Sequence, residues 1–293
     1  MPRPVTTVGR VTDNELGLFL RRRREAVSPA EVGLPTGHGR RTPGLRRSEL
    51  ATLAGVSVEY VTRLEQGRDR RPSPEVLAAL ADVLRLAPNE RIHLYRLTKG
   101  ANGFSCLGDA APARTPRSTV LALLHRLEPA PAVLLNRVTD LVAHTAGYAR
   151  LVGPIGQLDG SPPNLARFVF TDPRARAAYP DWDRVADEAV ATLKEGPFRV
   201  NRFVATLADE LTIAAGEAFV GRVETVSGLP RASGVVRLVH PEAGELRLAY
   251  ETLELPVDDD QRLVVYLPAD EATSAALDSL TGRRPGALRA VSG

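Results

Sequence analysis

Apolar residues recur at helical spacing through the first hundred positions. Leu50, Ala51 and Ala54 form one stripe. Gly55 follows, where the chain must bend sharply between two helices. Ser57 is placed to cap a second helix, and Val61 and Leu64 give that helix an inner face. Val58, Glu59, Thr62 and Arg63 are left on its outer face. Residues 46–67 therefore predict two helices joined by a tight turn. Upstream, a helix from Asp13 to about Glu25 is expected, capped by Thr12 or Asp13, with Leu16, Phe19 and Leu20 buried. Residues 31–44 are rich in Gly and Pro and predict a loop. Downstream, Ser73-Pro74 opens a helix lined by Val76, Leu77, Leu80, Val83 and Leu84. Pro88 opens another, with Ile92, Leu94, Tyr95 and Leu97. The pattern predicts a five-helix all-α domain over residues 1–99.

Residues 100–116 are small, weakly periodic and Gly/Ala/Pro-rich, and predict a linker. The pattern after it is mixed. A helix is expected from Arg117 to Glu128, then two short strands within 132–144 turning at Asn136-Arg137. Residues 163–220 read as mostly helical. Three strands follow at about 234–240, 245–255 and 261–267, and a last helix at about 271–280. Five strands with a helical group between the second and third predict an antiparallel sheet covered on one face. That is the α+β layout of a PAS-like sensor domain, over residues 117–285.

Composition narrows the functional classes. Of 293 residues, 43% are hydrophobic, ample for two packed cores. One cysteine, Cys106, excludes a disulfide framework. No apolar run reaches the ~20 residues of a membrane span, and the N-terminus lacks the order of a signal peptide. A soluble cytoplasmic protein with no membrane partner is expected. The net charge of +3 hides an asymmetry: residues 1–100 hold 18 basic against 11 acidic side chains, the remainder 20 against 24. Only the first third is therefore expected to meet nucleic acid. Arg21 to Arg24 are four consecutive residues pointing ~100° apart. Two of them are expected to face DNA and the others to be solvated.

The residues Ala51, Gly55, Val56, Ser57, Val61, Leu64, Glu65 and Gly67 resemble the lambda-repressor-like (XRE) helix-turn-helix family. The resemblance implies that the second helix enters the major groove of double-stranded DNA. By position, Arg47 is then implied to anchor a phosphate, Val58 and Glu59 to face base edges, and Thr62 and Arg63 to lie one turn later on the same face. Arg63 matches guanine O6 and N7 with its fork. Glu59 either accepts from a cytosine amine or pairs with Arg63 at i+4. Val58 offers methyl contacts. Tyr60 either donates to a phosphate or packs. Ser57, Arg68, Arg70 and Arg71 suit the DNA backbone. Arg40 and Arg41, at the tip of the 31–44 loop, either lie along phosphates or belong to a mobile surface loop. Glu65 and Gln66 are expected to hold the helix end. A domain of this size reads few base pairs, so a homodimer on an inverted-repeat operator is expected.

The likeness continues beyond that motif. The stretch from Gly44 to Leu86, NERIHLYRL, AVLLNRVTDLVAH, FTDPRARAAYPDW and LVHPEAGELRLAYETLELPVDDDQRLVVY together resemble the MmyB-like transcription regulators, over about residues 15 to 270. The resemblance implies a bacterial regulator with a lambda-repressor-like domain and a PAS-like ligand-binding domain. It implies a small apolar ligand, fatty acids being one type. The chain departs from the family where the second strand ends, reading Ala143-His144-Thr145-Ala146 instead of a Trp-Asn-Pro pattern, and again over 215–226. Pocket walls are expected from His144, Phe168, Phe170, Tyr179, Trp182, Phe203, Tyr250 and Tyr266. Tyr179-Pro-Asp-Trp182 reads as a joint between helices, with Asp181 as N-cap.

Three other readings remain. The histidines (His38, His93, His125, His144, His240) make no metal spacing, no phosphate loop is present, and Cys106 has no nearby histidine, so no catalytic residue, metal or cofactor is expected. A self-cleaving repressor needs a Ser/Lys pair, for which Ser161, Lys194 and an Ala146-Gly147 bond are the only candidates. Lys194, however, stands where a lysine serves its helix dipole. Lastly, the second domain could only dimerise.

Overall fold

The computed structural model describes residues 14–35, 44–69, 71–99, 111–195, 198, 201–226, 229–255 and 261–282. The chain divides into two compact units. The first holds α1 (Glu15–Ala26), a 3-10 turn (Pro29–Val32), α2 (Arg47–Ala54), α3 (Val58–Glu65), α4 (Pro74–Val83) and α5 (Pro88–Lys99). These are the five expected helices. Leu16, Phe19 and Leu20 of α1 are buried where α1 packs on α3 and α5, and Leu50, Val61 and Leu64 of α2 and α3 are almost inaccessible. Each such side chain contributes roughly 1.5–3 kcal/mol. Gly55 ends α2 at φ +66°, the left-handed turn that an L side chain resists. The Ser57 hydroxyl accepts from Tyr60 N at 3.0 Å and starts α3, and the Ser73 side chain starts α4.

The cap of α1 differs from expectation. Asn14, not Thr12 or Asp13, takes the N-cap, its Oδ1 accepting from Gly17 N at 3.1 Å. Its Nδ2 donates to Glu65 O at 2.8 Å. One amide therefore closes the start of α1 and the end of α3. Gly17 permits that closeness, because a Cβ there would stand 2.5 Å from Glu65 O and 2.6 Å from Leu64 O.

The second unit begins with α6 (Ser118–Leu127), then β1 (Ala132–Leu135) and β2 (Leu141–His144). Helices α7 (Ala146–Val152), α8 (Leu165–Thr171), α9 (Pro173–Ala178), α10 (Trp182–Leu193), α11 (Arg202–Ala215) and α12 (Glu217–Thr225) follow. Strands β3 (Ser233–His240), β4 (Gly244–Leu255) and β5 (Gln261–Pro268) precede α13 (Glu271–Thr281). The strand order is β2-β1-β5-β4-β3, with every neighbouring pair antiparallel. This is the expected α+β PAS-like sheet. Alternation splits its side chains: Val133, Val264, Leu246, Leu248 and Leu238 face the helical layer. Ala132, Leu134 and Leu263 face the other way and meet Val120 and Leu124 of α6. The sheet is thus covered on both faces at β1 and β5, where one covered face was expected.

Two local expectations are corrected. The β1–β2 connection is wider than a turn at Asn136-Arg137. Asn136 Oδ1 accepts from Val138 N and Asp140 N, and Asn164 Nδ2 donates to Asp140 Oδ1 at 2.8 Å and Val138 O at 2.7 Å. Asp181 occupies the N-cap position of α10 but makes no capping bond. Its carboxylate instead grips Arg237 of β3 at 2.7 and 2.8 Å, and this holds it below the usual carboxylate range.

Candidate functional site

In the first unit, α3 presents Val58, Glu59 and Arg63 to solvent, with Thr62 and Tyr60 half-buried beside them. Val61 and Leu64 on the opposite side lock the helix down. The Thr62 hydroxyl donates to Val58 O at 2.8 Å, so its oxygen is left as an acceptor. Arg63 lies with its guanidinium carbon 5.6 Å from the Tyr60 ring centre. Burial against that neighbourhood pushes the Tyr60 phenol up. Among the described residues Glu59 makes no ion pair with Arg63, the pairing that sequence left open. Arg68 and Arg71 are exposed just beyond the helix. Arg40, Arg41 and Arg70 lie outside the described residues.

Glu65 is the hub of this face. Its side chain is 1% exposed and takes Arg24 Nε at 2.5 Å and Arg47 Nε at 2.7 Å. Arg24 also donates to Leu45 O at 2.7 Å. Three helices are therefore pinned to one carboxylate. Arg47, implied by resemblance to anchor a phosphate, has Glu65 as its partner while its side chain stays 41% exposed. The expectation for Arg21 to Arg24 is corrected. Arg21 pairs with Glu25, Arg23 with Glu90 of α5, and Arg24 is buried on Glu65. Sequence shows four charges in a row but not the acids waiting 41 and 67 positions away.

In the second unit, six of the eight expected wall residues lie along one aromatic layer. Phe168 meets Tyr179 edge-on at 6.4 Å, and Phe170 meets Trp182 at 6.0 Å and Phe219 at 5.1 Å. Tyr250 and Tyr266 are 6.4 Å apart on neighbouring strands. Trp182 is structural: its Nε1 donates to Val169 O at 2.9 Å, and the guanidinium carbons of Arg176 and Arg222 lie 3.5 and 4.8 Å from its ring. His144 is exposed on the edge strand, 6.1 Å from the Tyr148 ring. Phe203 is not part of the layer; it sits on the first turn of α11 with the Arg202 guanidinium 4.6 Å from its ring.

Sequence reasoning missed Tyr148 and Gln157. Tyr148 is 2% exposed, its ring 6.0 Å from Tyr266. Gln157 Nε2 donates to Tyr148 Oη at 2.6 Å and Tyr179 Oη donates to Gln157 Oε1 at 2.8 Å. The available signal was Thr145, which caps α7 by accepting from Tyr148 N. Seven residues are too few for helical periodicity to declare itself.

The Ser/Lys constellation is not assembled. Lys194 is 1% exposed, and its Nζ donates to Val223 O at 2.7 Å and Val226 O at 2.8 Å. It neutralises the carbonyl end of α12, not of its own helix. Ala146-Gly147 lies inside α7, with Gly147 against the Pro129 carbonyl. Among the described residues no group of His, Cys, Asp or Glu is arranged to hold a metal, and no helix is long and apolar enough to cross a membrane.

Comparison with known proteins agrees with both units. A family model for a helix-turn-helix domain matches residues 15–94. A model for the MmyB-like transcription regulator ligand binding domain matches residues 116–280. No curated protein matches the chain significantly. The outward face of α3, the PAS-like strand order and these two matches place the chain among the MmyB-like transcription regulators, DNA-binding proteins with a ligand-binding domain.

Proposed function

We propose that this regulator reads its operator through α3, with Val58, Glu59, Thr62 and Arg63 on base edges. Ser57, Tyr60, Arg47, Arg68, Arg70, Arg71, Arg40 and Arg41 are the backbone contacts of that reading. A homodimer places two copies of α3 on an inverted repeat, since one helix of this length spans only a few base pairs. A small apolar ligand in the aromatic layer of the second unit then changes how the two copies present α3, and so the affinity for paired half-sites. The observation that carries the reading is the partition of α3: its inner face is buried at Val61 and Leu64 while Val58, Glu59 and Arg63 on its outer face stay exposed.

Selection of bound sequences from a random duplex library tests the DNA half. A two-fold symmetric consensus is expected. Sedimentation of a monomer, both free and on that DNA, overturns the dimer. Thermal shift against an acyl-chain library tests the ligand half; no shift with any member leaves a second domain that only assembles the protein.

A further inference from the structure

The first unit carries a hole and a knob side by side. Helices α4 and α5 pack on one another, and between them lies a groove of about 170 Å³. Leu77, Ala78 and Ala81 of α4 and Leu94 and Tyr95 of α5 line it, with the exposed Arg91 among its walls. Its floor is core, since Leu77, Ala81 and Leu94 are buried. The volume is near that of cavities which hold a benzene ring, about 150 Å³, so it seats one branched aliphatic side chain. Beside it Ile92 is 54% exposed and Tyr95 53%. Three residues apart, they are neighbours on one face of α5. Single exposed apolar residues need no explanation. A large aliphatic side chain standing next to an open apolar groove is a contiguous patch, and such patches mark interaction surfaces. Among the described residues nothing fills the groove, and none of its lining belongs to α3.

Charge says what fits there. The first hundred residues hold 18 basic side chains against 11 acidic, so two copies of the unit repel over most of their surfaces. At the groove they do not. Helix α4 carries Glu75 and Asp82 and no basic residue. Helix α5 carries three Lys or Arg residues, and its one acid, Glu90, is buried on Arg23. So α4 of one copy complements α5 of another. Asp82 and Arg91 already join the two helices at 2.7 Å, and both are exposed enough for the pair to be shared with a facing copy at little cost. A DNA backbone laid on the same face would meet two carboxylates and an apolar floor. A two-fold axis makes such a surface self-sufficient: knob enters hole, and the reverse contact follows by symmetry.

We infer that the α4–α5 groove seats Ile92 of a second copy of this chain, with α4 of each protomer facing α5 of its partner across a two-fold axis. This rests on the homodimer reading above and names the surface that reading leaves open. The contact lies on the unit that holds the reading helix: α4 packs on α2, and α2 on α3. The separation of the two α3 helices is then set within the DNA-binding units themselves.

The test uses the full chain and two duplexes, the selected symmetric sequence and the same duplex with one half-site scrambled. Ile92→Ser removes the knob, and Ala78→Arg fills the hole. Both positions are exposed on helix surfaces outside α3, so the melting point of the dilute free protein should not move. Each variant is expected to lower affinity for the symmetric duplex about tenfold or more, because an apolar side chain loses its burial on both sides of the axis. Affinity for the single half-site should stay as it was. An equimolar mixture of the two variants should recover part of the loss. The mixed dimer keeps one intact seat, Ile92 of the Ala78→Arg protomer in the groove of the Ile92→Ser protomer. A parent protein that binds both duplexes equally overturns the homodimer reading and this contact with it. A parent that prefers the symmetric duplex, beside variants that keep the full preference, overturns the groove contact alone. Equal loss on both duplexes or no recovery in the mixture does the same. So does a lower melting point of both variants in dilute solution, the sign that the chain's own residues fill the groove.

Discussion

Glu65 in the first unit and Gln157 in the second each sit at the centre of a buried polar cluster. The Glu65 cluster is ionic and closed: one carboxylate takes two guanidinium groups, and Arg24 finishes on Leu45 O. The Gln157 cluster is neutral: two phenols, Tyr148 and Tyr179, share one amide, and the Tyr148 hydroxyl accepts without an acceptor for its own proton among the described residues. Charge without a partner is ruinous in a protein interior, so the ionic cluster must be complete, and completeness fixes α1, α2 and α3 in one geometry. A neutral cluster tolerates a missing partner at a lower cost than an ionic one. One orientation of α3 thus follows from the closed ionic cluster, and the neutral cluster imposes no comparable requirement.

The largest expected effect strikes the closed cluster. Glu65→Ala leaves Arg24 buried and uncompensated, and urea unfolding of the first unit should show a loss of roughly 3–5 kcal/mol. A loss below about 1 kcal/mol would mean the cluster is a surface pair in disguise. Next comes Lys194→Ala, which strips two carbonyls of their donor and opens a void. About 2–4 kcal/mol is expected in the second unit, and no fragments should appear on alkaline incubation of either protein. Arg63→Ala should cost about 1–3 kcal/mol of specific DNA binding and almost nothing on non-specific DNA; equal loss on both would move Arg63 to the phosphates. Asn14→Ala should cost about 1 kcal/mol by removing a cap that serves two helices. The smallest effect belongs to Glu188. Burial holds its carboxyl above the ordinary glutamate value despite Arg231, so its contribution is favourable below that value and is lost as pH rises through the raised one. Glu188→Gln should therefore melt higher than the parent at neutral pH and equal to it in acid.

Elements with a long periodic face were legible in the sequence. The five helices of the first unit and β3, β4 and β5 fall within a residue or two of expectation, because burial imposes a visible period on each. What escaped was local chemistry decided by distant partners. Asn14 caps α1 because Glu65 O needs a donor, and Asp181 abandons its cap because Arg237 is within reach. Neither partner lies in the same sequence window. The recognition face was legible because outward residues are what remain once Val61 and Leu64 are assigned inward. The phenol cluster was only half visible: Tyr179 and Tyr266 stood among expected walls, while Tyr148 hid in a helix too short to show a pattern.

The setting of Trp182 has a practical consequence. It is the sole tryptophan of the chain, stacked beneath two guanidinium groups in the core of the second unit. Intrinsic fluorescence excited at the indole edge is therefore a gauge of one unit only. The emission will shift red when that core opens to water, while the DNA-reading unit can melt without moving it. A denaturation curve followed by emission and one followed by helical circular dichroism, where every α-helix counts, will coincide only if the two units unfold together. Their separation on the denaturant axis measures how independently the reader and the sensor stand.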